Sequence, residues 1–374
     1  MTVTTTYPGV YLSEDAVSSF SVNSAATAVP LFAYDSQSAV NTNNPIQVFR
    51  NWAEFTAVYS TPLNDAFYTS LQVWFMHGGG KCYLVSETSI ADAVAQYDDI
   101  TLIVAAGVDT TTDTTTDTTT DTTTDTTTNI AIYNAVTTVV GQGYRIFGLF
   151  DGPKAKIAST KKPDDVMDPY PTSPFGAVFY PWCTLASGEA VPPSAIAAAA
   201  IAQTDRARGV WKAPANQAVN GVTPMFAVSD DFQGQYNQGK ALNMIRTFPG
   251  QGTVVWGART LEDSDNWRYI PVRRLFNAVE RDIQKALNKL VFEPNSQPTW
   301  QRVRAAVDSY LHGLWQQGAL AGNSPSEAWF VQVGKDLTMT QEEINQGKMI
   351  IKIGLAAVRP AEFIILQFSQ DIAQ

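Results

Sequence analysis

The segment KCYLVSETSIADAVAQYDDITLIVA, residues 81–105, contains the alternation that decides the fold. Its two ends, Lys81–Val85 and Leu102–Ala105, are short runs rich in apolar and β-branched side chains. Between them, Ile90–Tyr97 has the spacing of apolar residues that is typical of a helix. Short, nearly continuous apolar runs indicate strands that are buried on both faces of a sheet. This segment therefore predicts two buried strands separated by a helix.

The same alternation continues on both sides of this segment. Further buried strands are predicted at Tyr144–Phe150 and Ala177–Trp182, and further helices at Asp65–Met76, Ile130–Val140 and Pro193–Arg208. Strands that alternate with helices are typical of an α/β layer, in which helices cover a sheet on both faces. We therefore predict an α/β region with a mixed, largely parallel sheet.

The C-terminal third has a different pattern. Apolar side chains recur every three or four residues along Val272–Leu290 and again along Trp300–Trp315, which predicts two amphipathic helices. The β-rich runs Ala328–Val333 and Lys348–Val358 follow them. We predict a compact α+β unit here.

Residues 109–128 are five perfect copies of Asp-Thr-Thr-Thr. The tract has no apolar residue with which to offset its ordering entropy, and its acidic side chains repel one another. It predicts a solvated surface loop of variable length within residues 107–129. A calcium-binding or glycosylated tether is the alternative.

Both ends of the chain have strong β-propensity. Thr2–Leu12 is rich in Thr, Val and Tyr, and Glu362–Phe368 contains four consecutive large apolar side chains followed by Phe368. A strand of this kind is an aggregation hazard unless it pairs with an edge. From composition alone, the simpler interpretation is that both strands join the chain's own sheet.

Composition excludes several classes of function. The 374 residues are 45% hydrophobic, enough for two or three domains with a large core, and the net charge of −10 argues against a general nucleic-acid binder. The longest purely apolar run, Ala195–Ala202, is too short to cross a bilayer. The first Lys or Arg is Arg50, so we expect no cleaved secretory leader.

Motifs for catalysis are absent or incomplete. Gly78–Lys81 lacks the earlier glycine and the Ser or Thr of a phosphate-binding loop, and the chain has no G-x-S-x-G elbow. Asp164, Asp165 and Asp168 could hold magnesium, but the neighbouring lysines and prolines favour a solvated loop. A pair of carboxylates brought together by the fold stays open. We predict no catalytic, cofactor or metal site.

Several segments, in the right order along nearly the whole chain, resemble the tail sheath proteins of contractile phages. These segments are Tyr7–Tyr11 with Glu14, Val191–Ser194, Gln203–Arg206, Arg208–Asn216, Val254–Thr260, Trp267–Phe276, Val291–Asn295, Leu314-Trp315, Gly318–Leu320 and Pro360–Phe363. The compact length and the opening look most like the sheaths of extracellular phage-tail-like injection particles.

This resemblance implies a domain organisation. Residues 1–24 and 361–374 would be arms exchanged with neighbouring subunits. Residues 25–250 would form an outer α/β domain, and residues 251–360 an inner domain that faces a tube.

The resemblance also implies a function without an active site. Such subunits form a helical sleeve around a rigid inner tube, in a metastable extended state on a baseplate, and contraction drives the tube through a target envelope to deliver a toxin. The implied partners are further copies of the chain, the inner tube protein, and baseplate and terminal cap proteins. Nucleic acid, direct membrane insertion and cofactors are not implied. Assembly would take place in the bacterial cytoplasm, before release of a phage-like particle or virion.

The resemblance reverses the interpretation of the two ends, because donated strands would be satisfied by neighbouring subunits. The residues expected to exchange are apolar or aromatic. They are Tyr7, Val10, Tyr11, Leu12, Phe363, Ile364, Ile365, Leu366 and Phe368.

A second candidate site is the basic face of the helix at residues 271–292. Arg274, Arg281 and Lys285 fall off the apolar stripe, and Arg273 and Lys289 flank them. One interpretation is a solvated face. The other is an electrostatic contact with an acidic tube surface or between stacked subunits.

Two other functions compete with a contractile sheath. A shell protein that assembles but has only one length state would share the self-association. An α/β hydrolase acting on surface polymers would need convergent carboxylates or a nucleophile.

Overall fold

The computed structural model describes residues 20–36, 44–59, 66–108, 111–112, 127–128 and 131–363. The β-strands of these residues are β1 (Pro30–Tyr34), β2 (Ile46–Phe49), β3 (Cys82–Ser86), β4 (Leu102–Val104), β5 (Thr111–Thr112), β6 (Thr127–Thr128), β7 (Phe147–Asp151), β8 (Gly176–Tyr180), β9 (Cys183–Leu185), β10 (Ala190–Val191), β11 (Gln217–Ala218), β12 (Val222–Pro224), β13 (Leu242–Phe248), β14 (Gly252–Trp256), β15 (Trp329–Val333) and β16 (Ile351–Leu355). The α-helices are α1 (Trp52–Val58), α2 (Ala66–Met76), α3 (Ile90–Gln96), α4 (Ala131–Gly141), α5 (Pro163–Met167), α6 (Pro193–Arg208), α7 (Asp230–Gln235), α8 (Ile270–Leu287), α9 (Gln297–Gln316), α10 (Pro325–Ala328) and α11 (Gln341–Asn345).

Nine strands form one mixed sheet in the order β11-β14-β13-β8-β7-β4-β1-β3-β2. The six strands from β13 to β3 run parallel to their neighbours, and antiparallel strands complete both ends. The predicted largely parallel sheet is confirmed. Its central strands come from the apolar runs of the sequence because only strands covered on both faces tolerate unbroken apolar side chains.

Helices cover both faces of this sheet. Alternate side chains of each strand enter opposite cores, so that Phe32 packs with α2 and α6 on one face. Leu31, its neighbour in sequence, packs with α3 and α4 on the other face. The two-residue period of a strand produces this division.

Helix α6 is buried on nearly all sides along Ala195–Ala202. Six of these eight residues are alanines. Because alanine has a single methyl side chain, the helix lies close to the sheet strands β4, β7 and β8 that it contacts. The predicted helix at Pro193–Arg208 agrees with the structure.

The chain divides into two compact units. Of the described residues, the larger unit contains those within 25–281, 318–321 and 357–374, and the smaller one those within 1–24, 282–317 and 322–356. Strand β14 belongs to the nine-stranded sheet of the larger unit, and the first division along the described chain after β14 follows residue 281.

The smaller unit is built on α9. The buried side chains of α9 face β15, which pairs with β16 in an antiparallel two-stranded sheet. Trp329 of β15 donates from its indole Nε1 to Asp308 Oδ1 of α9 at 2.8 Å. Gly318, at φ +81°, follows the helix end, as its sequence predicts.

The Asp-Thr-Thr-Thr tract lies mostly outside the described residues. Within it, β5 and β6 form a short antiparallel pair near its two ends. The predicted strand at Glu362–Phe368 is described only to Phe363.

No helix in the described part of the chain is both long enough and apolar enough to span a membrane.

Candidate assembly site

The first residues of the larger unit are held by arginines of α8. Arg281 donates from Nη2 to the carbonyl oxygen of Ala26 at 2.8 Å, and Arg274 donates from Nη2 to the carbonyl oxygen of Thr27 at 3.0 Å. Because these bonds go to backbone oxygens, they restrain the path of the chain itself. Residues 26–27 are therefore attached to α8 just before the chain enters the sheet.

Arg274 also forms a buried ion pair with Asp205 of α6. Its Nη1 and Nη2 lie 2.9 and 2.6 Å from the two carboxylate oxygens, and the side chains are 3% and 6% exposed. The Thr27 hydroxyl donates to Asp205 Oδ2 at 2.5 Å. A fork of this kind satisfies both charges together, whereas removing one partner would leave a buried charge unpaired. We call Thr27, Asp205 and Arg274 the N-terminal latch.

After Thr27, hydrogen bonds attach the chain to the nine-stranded sheet. Val29 donates from its backbone N to Thr101 Oγ1 at 2.8 Å, and the Thr101 amide donates to the Val29 carbonyl at 2.9 Å. Strand β1 then pairs with β3 on one side and β4 on the other, both in parallel.

A second arginine holds the other end of the larger unit. Arg259 donates from Nε to both carboxylate oxygens of Glu362 at 3.0 Å and from Nη2 to Oε2 at 2.7 Å. The Tyr269 hydroxyl lies 3.3 Å from the same oxygen. Arg259 and Glu362 are 11% and 23% exposed, so this site is wetter than the first. We call Arg259, Tyr269 and Glu362 the C-terminal latch.

The latches bring together four of the segments that carry the sequence resemblance. Gln203–Arg206 meets Trp267–Phe276 through Asp205 and Arg274, and Val254–Thr260 meets Pro360–Phe363 through Arg259 and Glu362. The pairs are 69 and 103 residues apart in sequence. Sequence reasoning missed both latches because no local pattern connects residues at such separations.

The predicted exchange residues lie almost wholly outside the described chain. Phe363 is described, is 69% exposed and directly follows the C-terminal latch. The remaining ones are Tyr7, Val10, Tyr11, Leu12, Ile364, Ile365, Leu366 and Phe368, all outside the described residues. Their exchange stays a prediction.

The first two arginines of the basic face of α8 are buried in the described chain. Arg273 and Arg274 are 5% and 3% exposed, so neither forms part of a solvated face, and neither is available to a tube in the single chain. Helical spacing placed Arg274 off the apolar stripe, with Arg273 flanking it, but α8 is covered by other elements on that side as well.

Arg273 has its own partners within the larger unit. Its guanidinium donates to Asn277 at 2.8 Å and to Glu280 at 2.9 Å, and it lies 4.3 Å from the centre of the Trp267 ring. Burial lowers the pKa of Arg273, and Glu280 opposes this effect. Among the other predicted contacts, Lys285 and Lys289 are exposed, and their role with Arg281 stays a prediction.

The smaller unit presents a sheet that is only partly covered. Trp329 and Val331 of β15 are buried, whereas Ile351, Ile353 and Leu355 of β16 are only partly buried. On the opposite face, Phe330 is 52% exposed and lies across its cross-strand neighbour Gly354. Within the described residues, no third strand pairs with either edge of this sheet.

The described chain begins beside the same unit's long helix. Phe20 and Val22 line a groove of about 260 Å³ together with Ser309, Tyr310 and Gly313 of α9. Val22 is 9% exposed. Phe20 and Val22, near the first described residue, therefore lie beside α9.

Asp151 lies at the carboxyl end of a central parallel strand, which is where α/β enzymes commonly bind ligands. It ends β7, is 1% exposed, and accepts from the backbone N of Gly107 at 2.8 Å and of Ser194 at 2.7 Å. Burial raises the pKa of Asp151 to about 6, against the lowering effect of these two amides. The carboxylate caps the N-terminus of α6, and this role is structural.

The chain's two histidines lie elsewhere. His77 contacts the carbonyl oxygen of Val73, and His312 contacts the side-chain amide of Gln316. Among the described residues, no three His, Cys, Asp or Glu side chains are grouped as metal ligands would be.

Comparison with known proteins gives the family. A model described as the phage tail sheath C-terminal domain matches residues 262–371. A chain in the cryo-EM structure of the anti-feeding prophage baseplate in contracted state is 84% identical, with 98% of this chain and 100% of that chain covered and a TM-score of 0.86. A chain in the PVC sheath complex of an extracellular contractile injection system, also contracted, is 46% identical over 99% of both chains, with a TM-score of 0.85.

A curated relative agrees over a shorter stretch. The tail sheath protein of Vibrio phage KVP40 is 24% identical over 182 residues, which are 48% of this chain and 26% of that protein. The chain thus spans about a quarter of this relative's length. Since the two solved structures match essentially end to end at identities far above 30%, the chain belongs to the tail sheath protein family of contractile phage tails and extracellular contractile injection systems.

Proposed function

We propose that copies of this chain polymerise into a helical sheath around an inner tube, in a metastable extended state, and that contraction of the sheath drives the tube through a target cell envelope. The observation that carries this proposal is the 84% identity, along 98% of the chain, to a subunit of a particle captured in contracted state. The work would come from a difference in free energy between two packings of the same subunits.

Strand exchange is the connection between copies that we propose. Residues 1–24 and 361–374 would be the donated arms, and the two-stranded sheet of β15 and β16 would accept them. Two features support this acceptor. Two-stranded sheets are marginal by themselves in water, and the partly buried apolar side chains of β16 would be covered by an added strand.

The remaining partners follow from the same proposal. Residues 25–250 would face outward and residues 251–360 toward the tube, with Arg281, Lys285 and Lys289 making electrostatic contact with the tube or a stacked subunit. Baseplate and cap proteins would close the two ends of the sheath. Assembly would occur in the bacterial cytoplasm, and the particle would act outside the cell.

The test is electron microscopy of the chain co-expressed with its tube protein. We expect striped tubes of two diameters, corresponding to extended and contracted sheath. A single tube length under every trigger would favour a passive shell, and monodisperse monomers would contradict self-assembly altogether.

A matched pair of deletions tests the donated C-terminal strand. Removing residues 363–374 should abolish polymerisation. Removing residues 113–124, three Asp-Thr-Thr-Thr copies of the same total length, should leave it intact. If both variants formed normal tubes, the C-terminal arm would not connect the subunits.

A further inference from the structure

We propose that the N-terminal and C-terminal latches are the anchor points of the two exchanged arms, so that tension carried by an arm passes into the nine-stranded sheet of the larger unit. The mechanical part of this inference rests on the proposed sheath function. The local part, that the latches hold residues 26–29 and 362 in place, does not.

The N-terminal latch has the properties of an anchor. Displacing residues 26–27 would break two arginine bonds to backbone oxygens and the Thr27 hydroxyl bond to Asp205. It would also admit water to an ion pair that is 3% and 6% exposed. The ion pair joins α6 to α8, so the anchor is attached to two helices and not to a loop.

The path of force continues directly into the sheet. Val29 is bonded to Thr101, and β1 begins one residue later, between two parallel neighbours. The bonds of a parallel ladder are evenly spaced along the strand. A pull along β1 therefore loads its bonds to β3 and β4 together, in shear, instead of opening them one at a time.

The C-terminal latch is connected to the opposite half of the same sheet. Arg259, just after β14, donates from its backbone N to Asn243 Oδ1 at 2.8 Å, and Asn243 of β13 donates to the Val178 carbonyl of β8 at 3.1 Å. Glu362 is thereby coupled to three neighbouring strands. Its attachment is more exposed to water and hence to screening by salt.

The competing explanation is that the N-terminal latch only stabilises the subunit. A second ion pair of α8 provides a control variant that distinguishes the two explanations. Arg273 and Glu280 form another ion pair of α8, in which Glu280 is 37% exposed and also contacts Arg145, and no contact is described between this pair and residues 26–29. The latch variant is Arg274→Met with Asp205→Leu, and the control is Arg273→Met with Glu280→Leu. Replacing both charges of a pair avoids leaving one buried and unpaired.

The first readout is amide hydrogen exchange of the full chain in its unassembled form. We expect Val29 and Leu31 to exchange about tenfold faster, or more, in the latch variant, because local opening no longer has to break the latch. The control should exchange at the wild-type rate at these two amides. Unchanged protection in the latch variant would overturn the local part of the proposal.

The second readout is the continuity of contracted sheaths by electron microscopy. We expect the latch variant to contract into short, broken stacks and the control to give tubes of wild-type length. Equal breakage in both variants would mean that the latch only stabilises the subunit. If the wild-type chain formed no tubes, the sheath function would fail, while hydrogen exchange would still decide the local restraint.

A milder variant covers the case in which the latch variant does not fold. Thr27→Val with Arg281→Met removes two bonds to the segment and keeps the ion pair. We expect faster exchange at Val29 by a smaller factor than in the latch variant. Wild-type exchange and intact contracted tubes in this variant would contradict the proposal.

Discussion

The nine-stranded sheet of the larger unit and the two-stranded β15–β16 sheet of the smaller unit differ in how completely they are covered. In the nine-stranded sheet, every residue of β1, β3, β7 and β8 is buried. In the two-stranded sheet, burial alternates along β15, and β16 has no fully buried residue. The central strands of the first sheet are buried on both faces within one chain. The second has the open edges and half-covered apolar side chains that an additional strand would cover.

This difference separates stability from assembly. Substitutions in the large sheet should change the free energy of unfolding of the subunit, whereas substitutions in the small sheet should change polymerisation with little effect on the subunit. Substitutions in each sheet test this separation, from the largest expected change in the free energy of unfolding to the smallest.

Two phenylalanines provide the most direct contrast. Phe32 of β1 is 0% exposed, and Phe330 of β15 is 52% exposed. We expect Phe32→Ala to lower the free energy of unfolding by about 3–5 kcal/mol, since it opens a cavity beside Trp74, and Phe330→Ala to lower it by less than about 1 kcal/mol. Urea denaturation of the unassembled chain measures both. Similar losses for the two variants would contradict the comparison.

Asp151 makes the large sheet sensitive to pH. Its pKa of about 6 in the folded chain lies above the ordinary value near 3.9. Between these values the folded state binds more protons than the unfolded state, so this group's contribution to stability falls as the pH rises from about 4 to about 6. We expect wild type to lose on the order of 1–3 kcal/mol relative to Asp151→Asn over that range.

Denaturation midpoints of both proteins at pH 4.5 and pH 7 test this. The comparison with Asp151→Asn cancels the other carboxylates, several of which have lowered pKa values. An equal pH dependence in wild type and variant would show that Asp151 does not titrate in this range.

Ile353 of β16 tests an edge of the small sheet that has no partner strand among the described residues. It lies in the middle of β16, is only partly buried and pairs with Val331. We expect Ile353→Lys to change the free energy of unfolding by no more than about 1 kcal/mol but to abolish tubes, because a charge would have to be buried under the donated strand. Normal tubes from this variant, seen by electron microscopy, would exclude β16 as part of the acceptor.

The smallest effect is expected for the Asp-Thr-Thr-Thr tract. It is inserted in the larger unit between β4 and α4, yet the cost of closing a loop rises only slowly with its length. Removing residues 113–124 should change the free energy of unfolding by less than about 1 kcal/mol. A larger loss, measured by urea denaturation, would show that the tract packs against the unit that surrounds it.

Much of the fold was predictable because it depends on local patterns. The strands at residues 82–86 and 102–104 and the helix between them follow from unbroken apolar runs and from helical spacing. Helix α9 and its end near Gly318 follow in the same way. Each of these signals lies within one short segment of the sequence.

The arginines of α8 show where such reasoning ends. The spacing placed Arg274 off the apolar stripe with Arg273 flanking it, which predicted a polar surface, and the structure places both in the interior. A buried guanidinium is stable only beside a partner that satisfies it, and the partner of Arg274, Asp205, is on another helix. The spacing along one helix contains no information about that partner.

By itself, the sequence determined the largely parallel α/β layer, the two amphipathic helices of the C-terminal third and, through motifs spread along the chain, the sheath family. Apolar periodicity and motif order are properties of the chain alone, which is why they could be read directly. Only the tertiary structure decided that Asp205 meets Arg274, that Arg259 holds Glu362, and that Asp151 closes α6. These are contacts between residues 43 to 103 positions apart, and the packing of the helices and loops on the sheet creates them.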